Sequence, residues 1–305
     1  MISVIVPTYN RKSTIGRAIE SLLRQTYSDI EIVIVDDASK DGTEQYVREN
    51  FTDERIRYER VSENAGADAA RNRGLDLVRG EFVAFLDSDD ELFPNALERL
   101  MVPLLDRSFG IAAAPYRLPD GRLSSFDRPE GEIPFEDLLC ERGMRSPKGW
   151  ISLLRMSAVG GTRWPLKFLQ FIFFRRIASN TRVYYIPEPL GLYYLDPKDK
   201  DSVTNTRKAP DLKLSIQRAT VLAAFLDDFG GKLTKNCPQM YGFYAYGAAV
   251  GLLLGGDMKK ARTLARAAWR NQPRPKYLLL YVVSCIPGAT IVWRILFRSK
   301  NVLSV

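Results

Sequence analysis

The first third of the chain alternates between short apolar segments and longer stretches whose apolar side chains recur at helical spacing. Strands are predicted at 2–6, 31–35, 55–60 and 82–86. Helices are predicted from about Ser13, from about Asp41 and after Gly66. Strands that alternate with helices through short loops are typical of a parallel sheet with crossover helices. The pattern therefore predicts an α/β fold with a mostly parallel, Rossmann-like sheet flanked by helices.

Polar residues follow the predicted strands at the point where each one ends. These residues are Pro7 to Asn10 after the first strand, Asp36 and Asp37 after the second, and Asn64 to Gly66 with Arg71 at the third helix. In open α/β sheets, ligands bind outside the carboxyl ends of the strands, and helix N-termini favour anionic groups. A nucleotide site is one interpretation. A strand stop, a helix cap and a plain loop-to-helix junction are the alternatives for the three segments.

An acidic cluster follows the fourth predicted strand and consists of Asp87, Asp89 and Asp90, with Ser88 between the first two. Carboxylates this close repel each other, so a bound cation would lower the electrostatic cost. Ligands made only of oxygen suit Mg²⁺ or Mn²⁺, whose coordination is usually completed by substrate phosphates. The alternative is an acidic turn that caps a helix starting near Pro94.

The charge and the amino-acid composition of the chain indicate which catalytic groups and which binding partners are compatible with it. The chain of 305 residues carries a net charge of +8 and contains no histidine, which excludes histidine-based catalytic triads and histidine metal ligands. From Thr206 onward, 16 Lys and Arg stand against 4 Asp. A basic end of this kind predicts an anionic partner surface, either phospholipid or nucleic acid.

The last third changes character and is predicted to be helical. Apolar residues keep helical spacing over 212–229, 239–255 and 258–270. Arg262, Arg266 and Arg270 recur at every fourth position, which places a basic stripe on one helix face. The nearly uncharged run 277–293 is broken by Pro287-Gly288 and is short for a membrane span. Two half-helices in the membrane interface fit this run, with a buried C-terminal helix as the alternative.

An anionic membrane surface is therefore the expected partner of the basic end. No nucleic acid is expected, since the basic stripe adjoins an apolar run and no aromatic–basic RNA-binding motif is present. No secretory signal precedes the first strand. We expect a cytoplasmic protein that associates peripherally with the inner face of a bacterial cytoplasmic membrane. The sequence leaves the oligomeric state open.

Four segments, taken together, resemble a known family. They are Ser3–Asn10 (SVIVPTYN), Ile34–Thr43 (IVDDASKDGT), Asn64–Gly66 followed by Ala70–Leu75 (NAG and ARNRGL), and Phe85–Asp90 (FLDSDD). In order and spacing they resemble glycosyltransferase family 2, in detail over residues 1–105 and more loosely to about 205. The resemblance implies a GT-A fold and a nucleotide-diphosphate sugar as the donor, used together with a divalent cation.

The resemblance also implies roles for individual residues. Those expected to bind the nucleotide sugar are Pro7, Thr8, Tyr9, Asn10, Asp36, Asp37, Gly66, Arg71, Asp87 and Ser88. Within this set, the first loop and Asp37 would hold the base, most often uracil, and Arg71 would face the diphosphate. Asp87, Asp89 and Asp90 would bind the cation, Mn²⁺ or Mg²⁺. Asp87 would also lie near the ribose, and Asp89 would serve catalysis.

The middle of the chain is predicted to be less regular. Residues 115–149 are rich in Pro, Gly and charge, as expected of an acceptor-binding loop or of a solvated insertion. The run 149–154 is predicted as a strand that brings Trp150 near the sugar. A tryptophan buried in the core is the alternative.

Residue 170 departs from the family pattern. The family carries an acidic pair on a helix whose Asp acts as general base on the acceptor hydroxyl, and the alignment places Leu169 and Gln170 at that pair. A glutamine amide is barely basic, and loss of a general base costs on the order of 10²–10⁴-fold in rate. Another carboxylate, a shifted alignment, or a weak or inactive enzyme would each explain the difference. No acidic residue lies between Glu141 and Glu188.

The predicted organisation has three parts: a GT-A catalytic domain at 1–205, a helical extension at 206–276 and a membrane-associated tail at 277–305.

The predicted function is an inverting glycosyltransferase that moves a sugar from a nucleotide-diphosphate donor, a UDP-sugar, to a hydroxyl of a lipid-linked or cell-surface polysaccharide acceptor. The alternative is a catalytically impaired nucleotide-sugar-binding or scaffold protein with the same fold. A nucleotidyltransferase is disfavoured because no glycine-rich, lysine-bearing phosphate loop follows the first strand.

Overall fold

The computed structural model of the chain describes residues 1–124, 128–142, 149–165, 169–194 and 212–286. The chain divides into two units, Met1–Arg207 and Lys208–Val305. Every strand described belongs to the first unit, whereas the described part of the second unit contains only helices.

The first unit contains the strands and helices that the opening of the sequence predicts. Its strands are β1 (Ile2–Thr8), β2 (Ile30–Asp36), β3 (Ile56–Arg60), β4 (Phe82–Phe85), β5 (Glu91–Leu92), β6 (Phe109–Ala114), β7 (Tyr116–Arg117), β8 (Gly131–Ile133), β9 (Ile151–Arg155), β10 (Arg182–Tyr185) and β11 (Gly191–Leu192). Its helices are α1 (Ile15–Leu23), α2 (Thr43–Asn50), α3 (Ala67–Leu77), α4 (Ala96–Leu104), α5 (Phe135–Leu139), α6 (Met156–Val159) and α7 (Gln170–Ala178). The four predicted strands and three predicted helices correspond to β1–β4 and α1–α3.

Eight of the strands form one sheet in the order β3-β2-β1-β4-β9-β6-β10-β8. Neighbours run parallel in the β3–β2, β2–β1, β1–β4 and β6–β10 pairs and antiparallel in the other three pairs. A second sheet of three strands has the order β5-β11-β7. The predicted α/β fold with a mostly parallel sheet flanked by helices is confirmed. The strand β9 lies antiparallel in the middle of the large sheet, a direction that the sequence pattern does not predict.

The apolar pattern explains why the central strands lie in the core. All seven residues of β1 and all seven of β2 are buried. Near-continuous Val and Ile runs are typical of parallel strands with helices on both faces. α1 places Ile15, Ile19 and Leu22 in the same core cluster as β1, each 0% exposed. Full burial of one such side chain contributes about 1.5–3 kcal/mol to stability.

Two glycines determine where α3 begins and how near it lies to the sheet. A Cβ atom at Gly74 would lie 2.5 Å from a side-chain carbon of Ile5 on β1, closer than real Cβ atoms approach. Gly66, which precedes the helix, has a φ of +95°, a conformation that residues with a side chain rarely adopt. The position of Arg71, between these two glycines, follows from both constraints.

The register of the sheet brings the ends of three strands to one edge. Thr8 at the end of β1 is paired with Asp36 at the end of β2, and Ile5 is paired with Phe85 at the end of β4. The N–H of Leu86 then donates to the carbonyl of Ile5 at 3.0 Å. The polar segments that follow β1, β2 and β4 are therefore neighbours at the carboxyl edge of the sheet.

Residues 115–149 are more regular than the sequence predicts, since β7, β8 and α5 lie within this range. β8 pairs antiparallel with β10, and β7 pairs parallel with β11. Elements of two to five residues are too short to display a period, and their partner strands follow far along the chain. The strand predicted at 149–154 is present as β9.

The second unit consists of helices α8 (Leu212–Asn236), α9 (Pro238–Gly255), α10 (Met258–Asn271) and α11 (Pro275–Ser284). α9 packs against α8 and α10, and α10 packs against α11. α10 is amphipathic: it buries Ala261, Leu264, Ala265 and Ala268 on one side. The stripe of Arg262, Arg266 and Arg270 lies exposed on the other side. The predicted helical C-terminal extension is confirmed.

The predicted membrane-associated tail is described only as far as Ile286. Within it, α11 buries Tyr277, Leu280 and Ser284 and exposes Leu279 and Val282. No helix in the described part of the chain is both long and apolar enough to cross a membrane. The break predicted at Pro287-Gly288 and all later residues lie outside the described ranges.

Glu31 is a buried carboxylate near the start of β2, 6% exposed. It accepts hydrogen bonds from Ser3 Oγ at 2.6 Å, from the N–H of Arg79 at 2.6 Å and from Arg57 Nη1 at 3.0 Å. Burial raises the pKa of Glu31, but these hydrogen bonds outweigh burial, and the pKa lies below its usual value. A carboxyl with a lowered pKa stabilises the folded state above the unfolded-state pKa, and this contribution is lost as the pH falls through the folded-state pKa.

We expect Glu31→Gln to lower the free energy of unfolding at pH 7 by about 1–3 kcal/mol, because three donors lose a charged, buried acceptor. The difference from the wild type should shrink as the pH falls below about 4.5, the ordinary pKa of a glutamic acid. Urea unfolding at pH 7 and at lower pH measures both effects.

Glu20→Gln is the matched control, because Glu20 on α1 is 55% exposed and pairs with Arg24 across one helical turn. We expect it to change the free energy of unfolding by less than about 0.5 kcal/mol. Equal losses for the two substitutions would contradict the assignment of the Glu31 cluster.

Candidate functional site

The acidic cluster lies directly beyond β4. Carboxylate oxygens of Asp87, Asp89 and Asp90 all lie within 4.8 Å of one another. The N–H of Asp90 donates to the carbonyl of Asp87 at 3.0 Å, which closes a turn. Because the chain reverses in this turn, three carboxylates from four consecutive residues converge, and Ser88 between them is buried at 4% exposure.

Asp90 is the least exposed member of the cluster, at 2%. Its pKa is raised well above the usual range, first by burial and then by the charges of Asp87 and Asp89. A hydrogen bond from the N–H of Tyr194 to Asp90 Oδ1, at 3.1 Å, opposes this shift. Three carboxylate groups with ligand oxygens within 4.8 Å of one another match the chemistry of a hard divalent cation. The residues therefore fit the cation that the sequence predicts.

Three arginines already balance part of this negative charge. Arg71 Nη2 donates to Asp87 Oδ1 at 2.6 Å, and Arg71 is itself only 7% exposed. Arg17 donates to the carbonyl oxygen of Asp89 and lies 3.5 Å from the ring centre of Tyr194. Arg11 Nε lies 4.0 Å from the carboxylate of Asp89. The side chain of Asp87 nevertheless remains 46% exposed, so Arg71 leaves part of this carboxylate accessible.

Arg71, which lies on α3, also contacts Asp68 on the same helix and an aromatic cluster. Its Nη1 donates to Asp68 Oδ1 at 2.8 Å, and its guanidinium lies 4.8 Å from the ring centre of Trp164. Trp164 stacks on Phe173 of α7, with ring centres 4.4 Å apart. The side-chain amide of Asn72 donates to and accepts from the backbone of Trp164, at 3.0 and 2.8 Å. Arg71, the residue expected to face the diphosphate, is thus a buried, positively charged side chain that its neighbours hold in place.

Asp36 and Asp37 fix the loops around the same edge. Asp36 is fully buried and accepts from the N–H of Ser39 at 2.8 Å and from the hydroxyl of Tyr58 at 2.6 Å. Asp37 accepts from the N–H groups of Ala65 and Gly66 at 2.9 and 2.7 Å. Asp37 therefore ties the loop after β2 to the loop before α3.

The loops after β1 and β2 are also joined to each other. The N–H of Asn10 donates to Ser39 Oγ, and the N–H of Lys40 donates to Asn10 Oδ1, both at 2.9 Å. Asn10 and Ala38 have φ values of +53° and +64°, an unusual conformation for residues other than glycine. Strain of this kind persists only where the surroundings impose it, and it recurs at ligand sites.

Among the remaining predicted donor residues, Pro7 and Thr8 are buried at the end of β1, and Tyr9 is half-buried. The hydroxyl of Thr8 is buried without a hydrogen-bond partner in the described part of the structure. The first loop, Asp36, Asp37, Gly66, Arg71 and the acidic cluster all lie at the carboxyl edge of the sheet or on the helix beside it.

Gln170 and Trp150 are held by α7. Gln170 is its first residue and makes a side-chain hydrogen bond to Asp68. Trp150 packs edge-on against Phe174, with ring centres 5.9 Å apart, and is a partly buried residue that packs against an apolar core cluster.

Sequence reasoning missed five residues of this site: Asp68, Trp164, Tyr194, Arg11 and Arg17. An acidic residue in the first turn of a helix is ordinary, which gives Asp68 no distinctive pattern. Tyr194 reaches Asp90 across a separation of 104 residues. No local signal in the sequence could have connected these positions.

Known proteins with similar sequences belong to the family that the residues at the sheet edge resemble. Residues 3–154 match the family described as glycosyl transferase family 2. A GalNAc(5)-diNAcBac-PP-undecaprenol beta-1,3-glucosyltransferase of Campylobacter jejuni is 45% identical over 103 residues, 33% of this chain and 33% of that protein. The UDP-Glc:alpha-D-GlcNAc-diphosphoundecaprenol beta-1,3-glucosyltransferase WfgD of Escherichia coli is 38% identical over 146 residues, 47% of this chain and 57% of that protein. The chain thus spans between a third and somewhat over half of these relatives.

A solved structure has the same architecture. Residues 1–349 of S. aureus TarS, in complex with UDP-GlcNAc, match with a TM-score of 0.65 at 17% identity, covering 96% of this chain and 91% of that one. At this identity the likeness concerns the fold, and it confirms the predicted GT-A class. The motifs at the sheet edge, the fold and the match over residues 3–154 agree, and the chain belongs to glycosyltransferase family 2.

Proposed function

We propose that the chain is a metal-dependent, inverting hexosyltransferase. It moves a sugar from a nucleotide-diphosphate donor, a UDP-sugar, to a hydroxyl of a lipid-linked or cell-surface polysaccharide acceptor. The observation that carries this proposal is the convergence of Asp87, Asp89 and Asp90 within 4.8 Å at the sheet edge where Thr8 and Asp37 also lie. Inversion at the anomeric carbon is an expectation from the family resemblance.

The donor is expected to lie along this edge. Thr8, with a buried hydroxyl that lacks a partner among the described residues, is suited to a polar group of the base. Pro7, Tyr9 and the loop tied by Asp37 would line the base and ribose. Arg71 supplies a fixed positive charge beside Asp87, on the side where the diphosphate would approach. The names of the E. coli relative and of the S. aureus structure both contain a UDP-sugar, which supports the choice of donor.

The cation, Mn²⁺ or Mg²⁺, would be held by Asp87, Asp89 and Asp90. When bound, it stabilises the negative charge that develops on the departing diphosphate. The protein contributes the positioning: the turn at Asp87–Asp90 holds the three carboxylates together, and Tyr194 and Arg17 hold the turn.

The acceptor side is supported by the relatives and by the charge of the second unit. The two relatives are named for undecaprenol-linked sugars. The exposed Arg262, Arg266 and Arg270 of α10 offer an attractive surface to anionic lipids. Peripheral association with the inner face of a bacterial cytoplasmic membrane would bring the first unit to lipid-linked acceptors.

A binding protein without turnover is the second candidate, and Gln170 favours it, because an amide cannot take the proton of an acceptor hydroxyl. Release of UDP from a UDP-sugar separates the two functions. Binding of UDP with Mn²⁺ but no release under any condition would favour the binding protein.

We expect UDP to raise the melting temperature in the presence of MnCl₂ but not in EDTA, since a ligand that binds only the folded state stabilises it. Asp89→Asn should abolish most of this shift and lower the rate of UDP release from UDP-glucose or UDP-GlcNAc by about 10²-fold or more. Thermal shift and a UDP-release assay with both cations measure these effects.

Asp76→Asn is the matched control for the loss of one negative charge. Asp76 lies on α3, is 51% exposed and pairs with Arg163 at 3.0 Å, outside the acidic cluster. It should keep both the Mn²⁺-dependent shift and the rate. Full activity of Asp89→Asn would refute the metal assignment.

We expect the purified chain to bind vesicles that contain phosphatidylglycerol and not vesicles of phosphatidylcholine alone. Replacing Arg266 and Arg270 by Gln should lower the partition coefficient by more than roughly tenfold, since each cation near an anionic surface contributes about 1 kcal/mol. Replacing Lys232 and Lys235 on α8 by Gln removes the same charge elsewhere in the unit and should have a smaller effect. Sedimentation with vesicles measures the difference, and equal losses would argue against the α10 stripe.

A further inference from the structure

One carboxylate beside the acidic cluster has no role in holding the donor or the cation. Asp68 lies in the first turn of α3, and its side chain is 11% exposed. Its Oδ1 accepts from Arg71 Nη1 at 2.8 Å, and it also makes a side-chain hydrogen bond with Gln170 at the start of α7. Two side chains from different elements therefore orient this carboxylate, while part of it remains accessible.

Arg71 brings Asp68 next to the cluster. The same guanidinium donates through Nη1 to Asp68 and through Nη2 to Asp87. A single guanidinium group thus separates Asp68 from the residue expected to face both ribose and cation. An acceptor hydroxyl that approaches the sugar of a donor at the cluster would pass close to this carboxylate.

The environment of Asp68 suits proton transfer. Burial raises the pKa of Asp68, the charge of Arg71 and the hydrogen bonds from Gln170 and Arg71 lower it, and the charge of Asp87 raises it, with a net increase. A carboxylate is a better base when its pKa lies closer to the working pH. Arg71 and Asp87 are the charged groups that face it, from its own helix and from the turn after β4.

Five other carboxylates at this edge already have tasks. Asp36 accepts from Tyr58 and Ser39, and both oxygens of Asp37 accept backbone N–H groups. The three members of the acidic cluster are the cation ligands of the proposed function. Gln170 can orient a carboxylate through its amide but cannot accept a proton usefully.

We propose that Asp68 is the general base of the transfer reaction, oriented by Gln170 and Arg71; this rests on the proposed function. The acceptor oxygen forms its bond to the anomeric carbon while its proton moves to the Asp68 carboxylate. The bond between the anomeric carbon and the diphosphate oxygen breaks, and its electron pair leaves with the nucleoside diphosphate. The carboxylate that the family has at position 170 is then replaced by the carboxylate of Asp68, which is hydrogen-bonded to Gln170.

Asp68→Asn is the direct test, because it keeps the shape of the side chain and removes its basicity. The full chain is assayed with MnCl₂ and a panel of UDP-sugars for UDP release, with water and with a polyprenyl-diphosphate sugar as acceptors. We expect kcat to fall by about 10²–10⁴-fold while the affinity for UDP with Mn²⁺ changes by less than roughly threefold. We expect the kcat of the wild type to rise with pH on the acidic side as Asp68 loses its proton, and this rise should be lost in Asp68→Asn. Asp76→Asn on the same helix is the control and should match the wild type.

A second variant separates a base from a merely structural carboxylate. Asp68→Asn combined with Gln170→Glu restores a carboxylate at the hydrogen-bonding partner, and we expect it to recover at least tenfold of the lost kcat. If Asp68→Asn does not fold, Gln170→Ala takes its place, with an expected loss in kcat of about tenfold at unchanged UDP affinity. An unchanged kcat in that variant would overturn the proposal.

Three further results would overturn the assignment. An unchanged kcat in folded Asp68→Asn would place the base elsewhere. A loss of UDP affinity as large as the loss of kcat, without recovery by Gln170→Glu, would show that Asp68 only positions Arg71. A wild type that binds UDP with Mn²⁺ yet releases none from any UDP-sugar would refute the proposed function together with the base, which distinguishes it from the first two results.

Discussion

The buried guanidinium of Arg71 is the charge on which the arrangement of the site depends. It lies between Asp68 and Asp87, and without it the carboxylates of α3 and of the turn after β4 would face each other directly. Removing one partner of a buried ion pair typically costs about 3–5 kcal/mol, because the other charge is left uncompensated. The dependence is mutual: because Arg71 is only 7% exposed, water could replace its carboxylate partners only in small part. The acidic cluster can therefore remain open toward a ligand on one side because it is neutralised on the other.

The loops around this charge are organised before any ligand arrives. Asp37 fixes the segment before α3, Asp36 fixes the turn after β2, and Asn10 joins the first two loops. Polar residues that sequence patterns assign to ligand binding thus have a second task, which is to bond backbone groups of neighbouring loops. A preformed site avoids the entropic cost of ordering loops on binding. The positive φ values of Asn10 and Ala38 are part of this preformed geometry.

The sequence predicts those elements of the first unit that produce a pattern of apolar and polar residues within a short stretch of chain. β1, β2 and β4 are apolar runs followed directly by polar clusters, so their type, their parallel order and their shared edge follow from the pattern. The antiparallel direction of β9 and the second sheet could not be predicted. An apolar run does not show the direction in which its strand pairs, and the two-residue strands of the second sheet show no period and pair across long separations. The same limit applies to the site. The Asp87–Asp90 cluster can be recognised in the sequence because its residues are contiguous. Two other hydrogen bonds of the site, Tyr194 to Asp90 and Gln170 to Asp68, join residues about a hundred positions apart. In the sequence, Gln170 suggests that the carboxylate of a general base is missing. In the structure, the carboxylate of Asp68 lies beside Gln170.

The contact of Gly74 with Ile5 has a consequence for how this chain can diverge. Arg71 precedes Gly74 by one helical turn, so the depth at which α3 sits on β1 also sets the height of the guanidinium above the sheet. Even one added methyl group at residue 74 would push the helix outward and disturb the neutralisation of the aspartates without touching them. A single small residue on the sheet-facing side of α3 therefore keeps the charge of Arg71 at its place beside the aspartates.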